Sequence, residues 1–270
     1  MTGPIRFEGS FVPVSETGRV LIVGASGELG SALARHYACA GARLSLWGRD
    51  SDRLDAAARA CLNLGAGAVG TRSLDLSDTD GALKALSREE AEEPFGLALF
   101  AAGCGDIRAE GAMVEDAAQV ARLVQVNFEA QAAMAARCAL TMAARGRGAI
   151  VVIGSAASDH ALPFAAAYAG SKAGLARFAD ALRINVRPHG VSVTLVSPGF
   201  IDTAAARRVP GPKPLMLQPD RAAALIARAA ARKKAHVALP WPFGLLRLFS
   251  AILPRFLRDR LLRALTPPGF

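Results

Sequence analysis

Short apolar runs alternate with longer alanine-rich segments along most of the chain. The runs predicted to be strands are RVLIV (Arg19–Val23), RLSLW (Arg43–Trp47), AVGTRSL (Ala68–Leu74), GLALFAA (Gly96–Ala102), AIVVIG (Ala149–Gly154), VSVTLVS (Val191–Ser197) and HVALP (His236–Pro240). Helices are predicted to begin at Glu28, Asp52, Asp78, Asp116, Ala165 and Pro219. Strands that alternate with helices indicate βαβ units and a parallel sheet. Continuously apolar strands are typical of a sheet covered on both faces. We therefore predict an α/β fold with a doubly wound parallel sheet of about seven strands.

Two segments depart from this pattern and define the domain organisation. Residues 1–17 form a leader without the features of a signal peptide, and residues 18–240 form a single domain. Residues 204–219 carry several prolines, which predicts a mobile loop over the substrate. Residues 241–270 form an extension in which Leu257, Leu261 and Leu265 recur every four residues among arginines, a pattern typical of a basic amphipathic helix. Such a helix packs on the domain or a dimer mate, or alternatively lies on a membrane surface.

Composition narrows the class of partner. The 270 residues are 52% hydrophobic and 20% charged, and the net charge is +9. A basic chain favours an anionic partner, such as a nucleotide, an acidic carrier protein or a membrane surface. Nucleic acid is not predicted, because no binding motif for it is present. The four cysteines are scattered and no histidine lies at ligand spacing, so we predict neither a metal site nor disulfides, and a cytoplasmic location.

A glycine-rich turn follows the first predicted strand. Gly24, Gly27 and Gly30 form GxxGxxG where that strand meets the first helix, with Ser26 and Leu29 in the same turn. Backbone N–H groups at a helix start bind phosphate. In a first βαβ unit, such a turn predicts a Rossmann-type dinucleotide site.

The end of the second strand indicates which dinucleotide binds. NAD-binding folds place an acid there, whereas this chain has Gly48, Arg49 and Asp50. Gly48 leaves room, and the Arg49 guanidinium suits a 2′-phosphate. NADP(H) is therefore favoured over NAD(H), although Arg49 as a solvated turn residue is the alternative. Asp75 contacts the adenine or caps the next helix, with Ser77 and Asp78 as its neighbours.

Tyr168 and Lys172 lie four residues apart and share one face of a predicted helix. Ser155 precedes Tyr168 by thirteen residues, at the end of a strand. Together with the glycine turn and Pro198-Gly199, these residues resemble the short-chain dehydrogenase/reductase family in its compact single-domain form, over about residues 17–240. Asn127 in QVNFEA matches the helix asparagine of that family.

The resemblance implies a role for each of these residues. Tyr168 is the general acid/base, and Lys172, together with the positive charge of the oxidised nicotinamide, is expected to lower the pKa of its phenol. Ser155 holds the substrate oxygen, or simply caps a helix. Asn127 keeps a water near Lys172, or bonds a neighbouring backbone group. The nicotinamide is positioned by the remaining residues that match, namely Ala102, Gly103, Pro198, Gly199 and Thr203.

The sequence departs from the family pattern at the nucleotide end. Val23 replaces a threonine, Glu28 stands where the family has glycine, and Ala101-Ala102 lacks the usual asparagine. Glu28 is expected to repel phosphates unless it points away or stabilises the helix start.

The favoured function is an NADP(H)-dependent oxidoreductase that interconverts a ketone and a secondary alcohol. Leu215, Met216 and Leu217 in the loop, with Trp241 and Phe243 in the extension, predict a partly apolar, lipid-like or carrier-bound substrate, although they also suit packing within the domain. Family resemblance implies a homodimer or homotetramer. The alternative function is a non-catalytic nucleotide-binding regulator or membrane-docked scaffold with the same fold.

Overall fold

A computed structural model of the chain describes residues 18–245, 253–264 and 266. Within these residues, one parallel sheet of seven strands has the order β3-β2-β1-β4-β5-β6-β7. Its strands are β1 (Arg19–Val23), β2 (Arg43–Gly48), β3 (Ala68–Ser73), β4 (Phe95–Phe100), β5 (Gly148–Ile153), β6 (Val191–Pro198) and β7 (His236–Leu239). The order reverses between β1 and β4, the point at which ligands bind in doubly wound sheets. The predicted fold class is confirmed, with strand ends within two residues of the prediction.

The helices alternate with the strands as predicted. They are α1 (Glu28–Ala38), α2 (Ser51–Asn63), α3 (Thr79–Glu92), α4 (Ala117–Val124), α5 (Ala130–Ala144), α6 (Ala166–Val186), α7 (Ala204–Arg208), α8 (Pro219–Ala231) and α9 (Arg255–Ala264). The predicted starts at Asp78, Asp116 and Ala165 are the capping residues that immediately precede α3, α4 and α6. A wide π-helical turn (Gln125–Glu129) joins α4 to α5.

Consecutive residues of the central strands pack into two different cores. Leu21 and Val23 face one layer, whereas Val20 and Ile22 face the other. Since neighbouring side chains of a strand point to opposite faces, a sheet with helices on both sides needs apolar residues at every position. The edge strand β3 differs, because most of its residues are exposed or half-buried. The expectation of apolar strands therefore holds for the centre of the sheet and is wrong at β3.

The predicted substrate loop contains the short helix α7 and returns to the domain at Leu217. Ile201 pairs with Leu217 in a β-bridge, and Leu217 packs on one of the two cores. Leu215 and Met216 remain 56% and 37% exposed. Only these two of the three predicted apolar loop residues therefore face outward.

Part of the C-terminal extension forms α9. Its Phe256, Leu257 and Leu261 are 72%, 44% and 46% exposed, whereas Arg258 and Leu262 are half-buried. Leu265, the leader 1–17 and residues 246–252 and 267–270 lie outside the described residues. In the described part of the chain, no helix combines the length and apolarity that crossing a membrane requires.

Candidate active site

The glycine turn between β1 and α1 requires glycine for steric reasons. Gly24 has a φ of +93°, and a Cβ there would lie 2.5 Å from the Ala102 nitrogen. A Cβ on Gly30 would overlap the Gly24 carbonyl oxygen. The turn is thereby packed directly on residues 101–102, at the end of β4, where the strand order reverses.

The start of α1 is left without a side-chain cap. Asp50, Asp78 and Asp116 cap the three following helices, each accepting a backbone N–H of the first turn at 2.8–3.0 Å. The N-cap of α1 is Gly27, which supplies no such acceptor. Uncapped N–H groups at the positive end of a helix suit an anion. A dinucleotide pyrophosphate fits this donor set.

The end of β2 keeps space for the glycine turn. A Cβ on Gly48 would lie 2.5 Å from Ser26 Oγ, so only glycine lets the two segments approach. Arg49 is exposed, whereas Asp50 is used as the cap of α2. Asp75 accepts the Ser77 N–H at 2.9 Å, which is the main cause that lowers its pKa, and the Arg49 charge adds to this effect. Asp78, rather than Asp75, caps α3.

Three side chains meet between β5 and α6. Ser155 follows β5, and its Oγ accepts the Ala157 N–H at 3.1 Å. The Ser155 side chain also lies close enough to the Tyr168 hydroxyl to act on the pKa of that phenol. Lys172 lies one helical turn beyond Tyr168, is 4% exposed, and donates to the Ile153 carbonyl at 2.9 Å. The capping alternative for Ser155 is therefore correct, and it coexists with the contact to Tyr168.

Burial sets the pKa values of this group. It raises the pKa of Tyr168, and the hydrogen bond to Ser155 offsets this rise only partly. Burial also lowers the pKa of Lys172 to about 8, against a weaker opposing effect of Cys104. The expected lowering of the Tyr168 pKa, which combines Lys172 with the charge of the oxidised nicotinamide, is not produced by Lys172 alone. Loss of hydration disfavours the phenolate, and the Lys172 ammonium is itself poorly solvated.

Asn127 lies in the π-helical turn rather than in a regular helix. It is fully buried, and its side chain binds the Cys104 N–H at 2.8 Å and the Cys104 carbonyl at 2.9 Å. The predicted alternative of a backbone contact is therefore correct for this side chain. A Cβ on Gly103 would lie 3.3 Å from both Asn127 Oδ1 and Lys172 Nζ. Gly103 thus separates the glycine turn from the Tyr168–Lys172 pair without filling the space.

The segment that follows β6 contacts the C-terminal part of the chain. Pro198 ends β6, and the Gly199 N–H donates to the Leu239 carbonyl at 2.7 Å. A Cβ on Gly199 would lie 2.5 Å from the Phe243 ring, so that ring rests on the glycine. Thr203 caps α7 by accepting the Ala206 N–H at 3.2 Å.

His160 lies in the loop that follows Ser155. Burial lowers the pKa of His160, Asp159 opposes this, and the charge of Arg258 lowers it further. Helix α9 is therefore close to the loop that follows Ser155.

Sequence reasoning missed two supporting residues. Ser171 Oγ donates to the Tyr168 carbonyl at 2.8 Å and accepts from Asn127 Nδ2 at 3.2 Å. Glu115 accepts the Ala167 N–H at 2.9 Å and so caps the helix that carries Tyr168. The missing cap at Ala165 was a signal that a distant acceptor must serve this helix.

An α/β sheet with a glycine turn at its switch point, a buried serine and lysine and a half-buried tyrosine between them defines a class of nucleotide-dependent oxidoreductase. The profile of the family described as short chain dehydrogenase matches residues 18–212. The chain belongs to the short-chain dehydrogenase family, and the predicted family and class of enzyme are confirmed.

Relatives and solved structures agree with this assignment. An uncharacterized oxidoreductase of Mycobacterium tuberculosis is 35% identical over 249 residues, which are 90% of this chain and 97% of the relative. Another, from Myxococcus xanthus, is 30% identical over 91% of this chain and 96% of its own. A short-chain dehydrogenase of Burkholderia cenocepacia in complex with NADP is 25% identical, with a TM-score of 0.76 over 93% of this chain and 99% of the other. One from Sphingobium yanoikuyae in complex with NADPH is 24% identical, with a TM-score of 0.75 over 88% and 97%.

Proposed function

We propose that the protein is an NADP(H)-dependent reductase that converts a ketone to a secondary alcohol, with Tyr168 as the proton donor. The observation that carries this proposal is the arrangement of Ser155 at the end of β5 with Tyr168 and the buried Lys172 on the neighbouring helix, where Lys172 donates to the Ile153 carbonyl at 2.9 Å. Burial of the Lys172 ammonium is costly, and buried ionisable groups beside an acidic side chain such as Tyr168 are typical of functional sites.

The raised pKa of Tyr168 keeps the phenol in the protonated form that reduction of a ketone requires. Its hydroxyl stays protonated at neutral pH and can donate its proton to a carbonyl oxygen. Ser155 holds the same oxygen through its hydroxyl. Because the pKa of Lys172 is about 8, its ammonium can release a proton near neutral pH and so reprotonate Tyr168. The buried Asn127 fixes the Cys104 backbone, which lies near Lys172.

The cofactor would be held by residues at the β1–β4 reversal. NADPH, when bound, supplies the hydride for this reaction. The uncapped first turn of α1 would bind its pyrophosphate, and Arg49 would bind the 2′-phosphate. Further contacts are assigned to Ser26, Leu29, Asp75, Ala102, Gly103, Pro198, Gly199 and Thr203, together with the glycines of the turn. NADP(H) is favoured over NAD(H), because Arg49 at the end of β2 is exposed and Asp50 beside it is engaged by the first turn of α2.

A partly apolar substrate is supported by the outward-facing loop and extension. Leu215 and Met216 of the loop and Trp241 of the extension are exposed. The carbonyl substrate would be lipid-like or bound to an acidic carrier.

We also infer a peripheral membrane contact through the extension 241–270. Helix α9 exposes Phe256, Leu257 and Leu261, and its ten residues include four arginines against one aspartate. An exposed apolar face flanked by cations suits an anionic lipid surface. The enzyme would be a cytoplasmic homodimer or homotetramer that docks reversibly.

Turnover by the full-length protein tests the enzyme assignment. Oxidation of NADPH should be observed with some members of a panel of apolar ketones and acyl-carrier ketones. Tyr168→Phe should abolish it and still bind NADPH, whereas the control Tyr37→Phe, at the only other tyrosine, should remain active. Tight NADPH binding without turnover across the panel would instead support the regulator.

A further inference from the structure

Glu28 connects the start of α1 to the start of α7 across the candidate cofactor site. Its Oε2 accepts the backbone N–H of Ala204 at 2.7 Å, although the two residues are 176 positions apart. Thr203 accepts the Ala206 N–H of the same first turn. Both side-chain caps of α7 are therefore in place only while Glu28 reaches over from α1.

The Glu28 carboxylate also lies in a basic environment. Glu28 occupies the first turn of α1, whose positive end attracts an anion. The pKa of Arg207 is raised mainly by its hydrogen bond to Asp202, and the charge of Glu28 adds to this rise. Glu28 is thus close to Arg207 as well as to Ala204. The carboxylate neutralises the same helix end that the proposed pyrophosphate would use.

We propose that Glu28 is a latch that holds residues 200–208 against the glycine turn and competes, through its negative charge, with the pyrophosphate of the dinucleotide. Binding of the cofactor and release of the Ala204 contact are then coupled, since two anions at one helix end repel each other. This makes Glu28 a positioning residue that weakens cofactor binding in exchange for a closed loop. The inference rests on the proposed function, because it requires a dinucleotide at α1.

Two substitutions separate the charge of Glu28 from its hydrogen bond. Glu28→Gln keeps an acceptor for the Ala204 N–H and removes the charge, whereas Glu28→Ala removes both. Glu92→Gln is the matched control, because Glu92 is exposed at the last turn of α3, away from the helix starts.

Dinucleotide binding measures the effect of the charge. Titration of NADPH fluorescence with the full-length protein should show about fivefold tighter binding for both Glu28 variants, since a single charge at a helix end has an effect of this order. Glu92→Gln should bind like the wild type. Equal affinity of Glu28→Gln and the wild type would overturn the proposal and leave the proposed function intact.

The rate of trypsin cleavage tests the contact between Glu28 and residues 200–208 in the absence of cofactor. Cleavage after Arg207 and Arg208 should be several times faster in Glu28→Ala than in the wild type, with Glu28→Gln in between. Cleavage after Arg177, within α6, reports unfolding of the whole domain and should not change. Unchanged cleavage at Arg207 and Arg208 in Glu28→Ala would refute the latch. Failure of the wild type and both variants to bind any dinucleotide would refute the proposed function together with the competition.

Discussion

Replacing Lys172 by methionine should stabilise the folded protein at neutral pH, even though it removes a residue assigned to the reaction. Lys172 is 4% exposed, and its pKa falls from 10.5 to about 8 because it is buried. Since one pKa unit corresponds to about 1.4 kcal/mol, protonated Lys172 costs the fold about 3 kcal/mol at pH 7. Methionine has a similar length and no charge, but it leaves the Ile153 carbonyl without its donor, which costs about 1–2 kcal/mol. The net gain in the free energy of unfolding is about 1–2 kcal/mol.

The pH dependence separates the charge from the packing. The folded-state pKa of Lys172 lies below its unfolded value, so the unfolded chain binds more protons between about pH 8 and 10.5. Wild-type stability therefore rises with pH in this window as the buried ammonium is lost. At pH 10 the cost has fallen to about 1 kcal/mol. The advantage of Lys172→Met over the wild type should shrink by about 2 kcal/mol between pH 7 and pH 10.

Urea unfolding at the two pH values measures this difference. The fluorescence of Trp47 is a suitable probe, since its ring is fully buried and its Nε1 donates to Ser45 Oγ at 2.9 Å. Lys84→Met, at an exposed position of α3, is the control and should show a constant difference from the wild type. If the difference between Lys172→Met and the wild type is also the same at pH 7 and pH 10, the argument from burial is wrong.

Three other measurements address the cofactor, the turn and the extension. Arg49→Leu should raise KM for NADPH by about tenfold or more through loss of a charge-assisted contact, with KM for NADH unchanged and Arg59→Leu as control. Gly24→Ala should lower the free energy of unfolding by more than the about 1–2 kcal/mol expected from a positive φ alone, because the new Cβ would meet Ala102. The control Gly65→Ala, at φ +98° in open space, measures the backbone strain alone in urea unfolding. Equal losses of stability in the two variants would contradict the packing argument. The full-length protein should sediment with vesicles of phosphatidylserine and phosphatidylcholine, and less with phosphatidylcholine alone. The double substitution Leu257→Ser and Leu261→Ser should reduce vesicle binding more than tenfold, whereas the control Leu140→Ser should not. If the double substitution changes the oligomer mass measured by light scattering and leaves vesicle binding unchanged, the two leucines form a subunit contact.

Residues that lie at fixed spacing within one element were predictable from sequence. The strands follow from their apolar runs, and Ser155, Tyr168 and Lys172 follow from a strand end and a helical spacing. Contacts between segments that are distant in sequence were not predictable, such as those of Glu28 with Ala204 and of Phe243 with Gly199. The effect of burial on the Tyr168 pKa was also not predictable, because it depends on the whole neighbourhood of the phenol.

Because of the wide turn at Gln125–Glu129, the arrangement of the site depends on the number of residues across the turn as well as on their types. A π-helical turn is equivalent to one additional residue in a regular helix, and one residue rotates everything that follows by about 100°. A deletion near position 127, with no change in residue types elsewhere, would turn the buried side chains Met134, Cys138 and Met142 away from the sheet. Comparison of related chains should therefore count residues across this junction as carefully as it compares their identities.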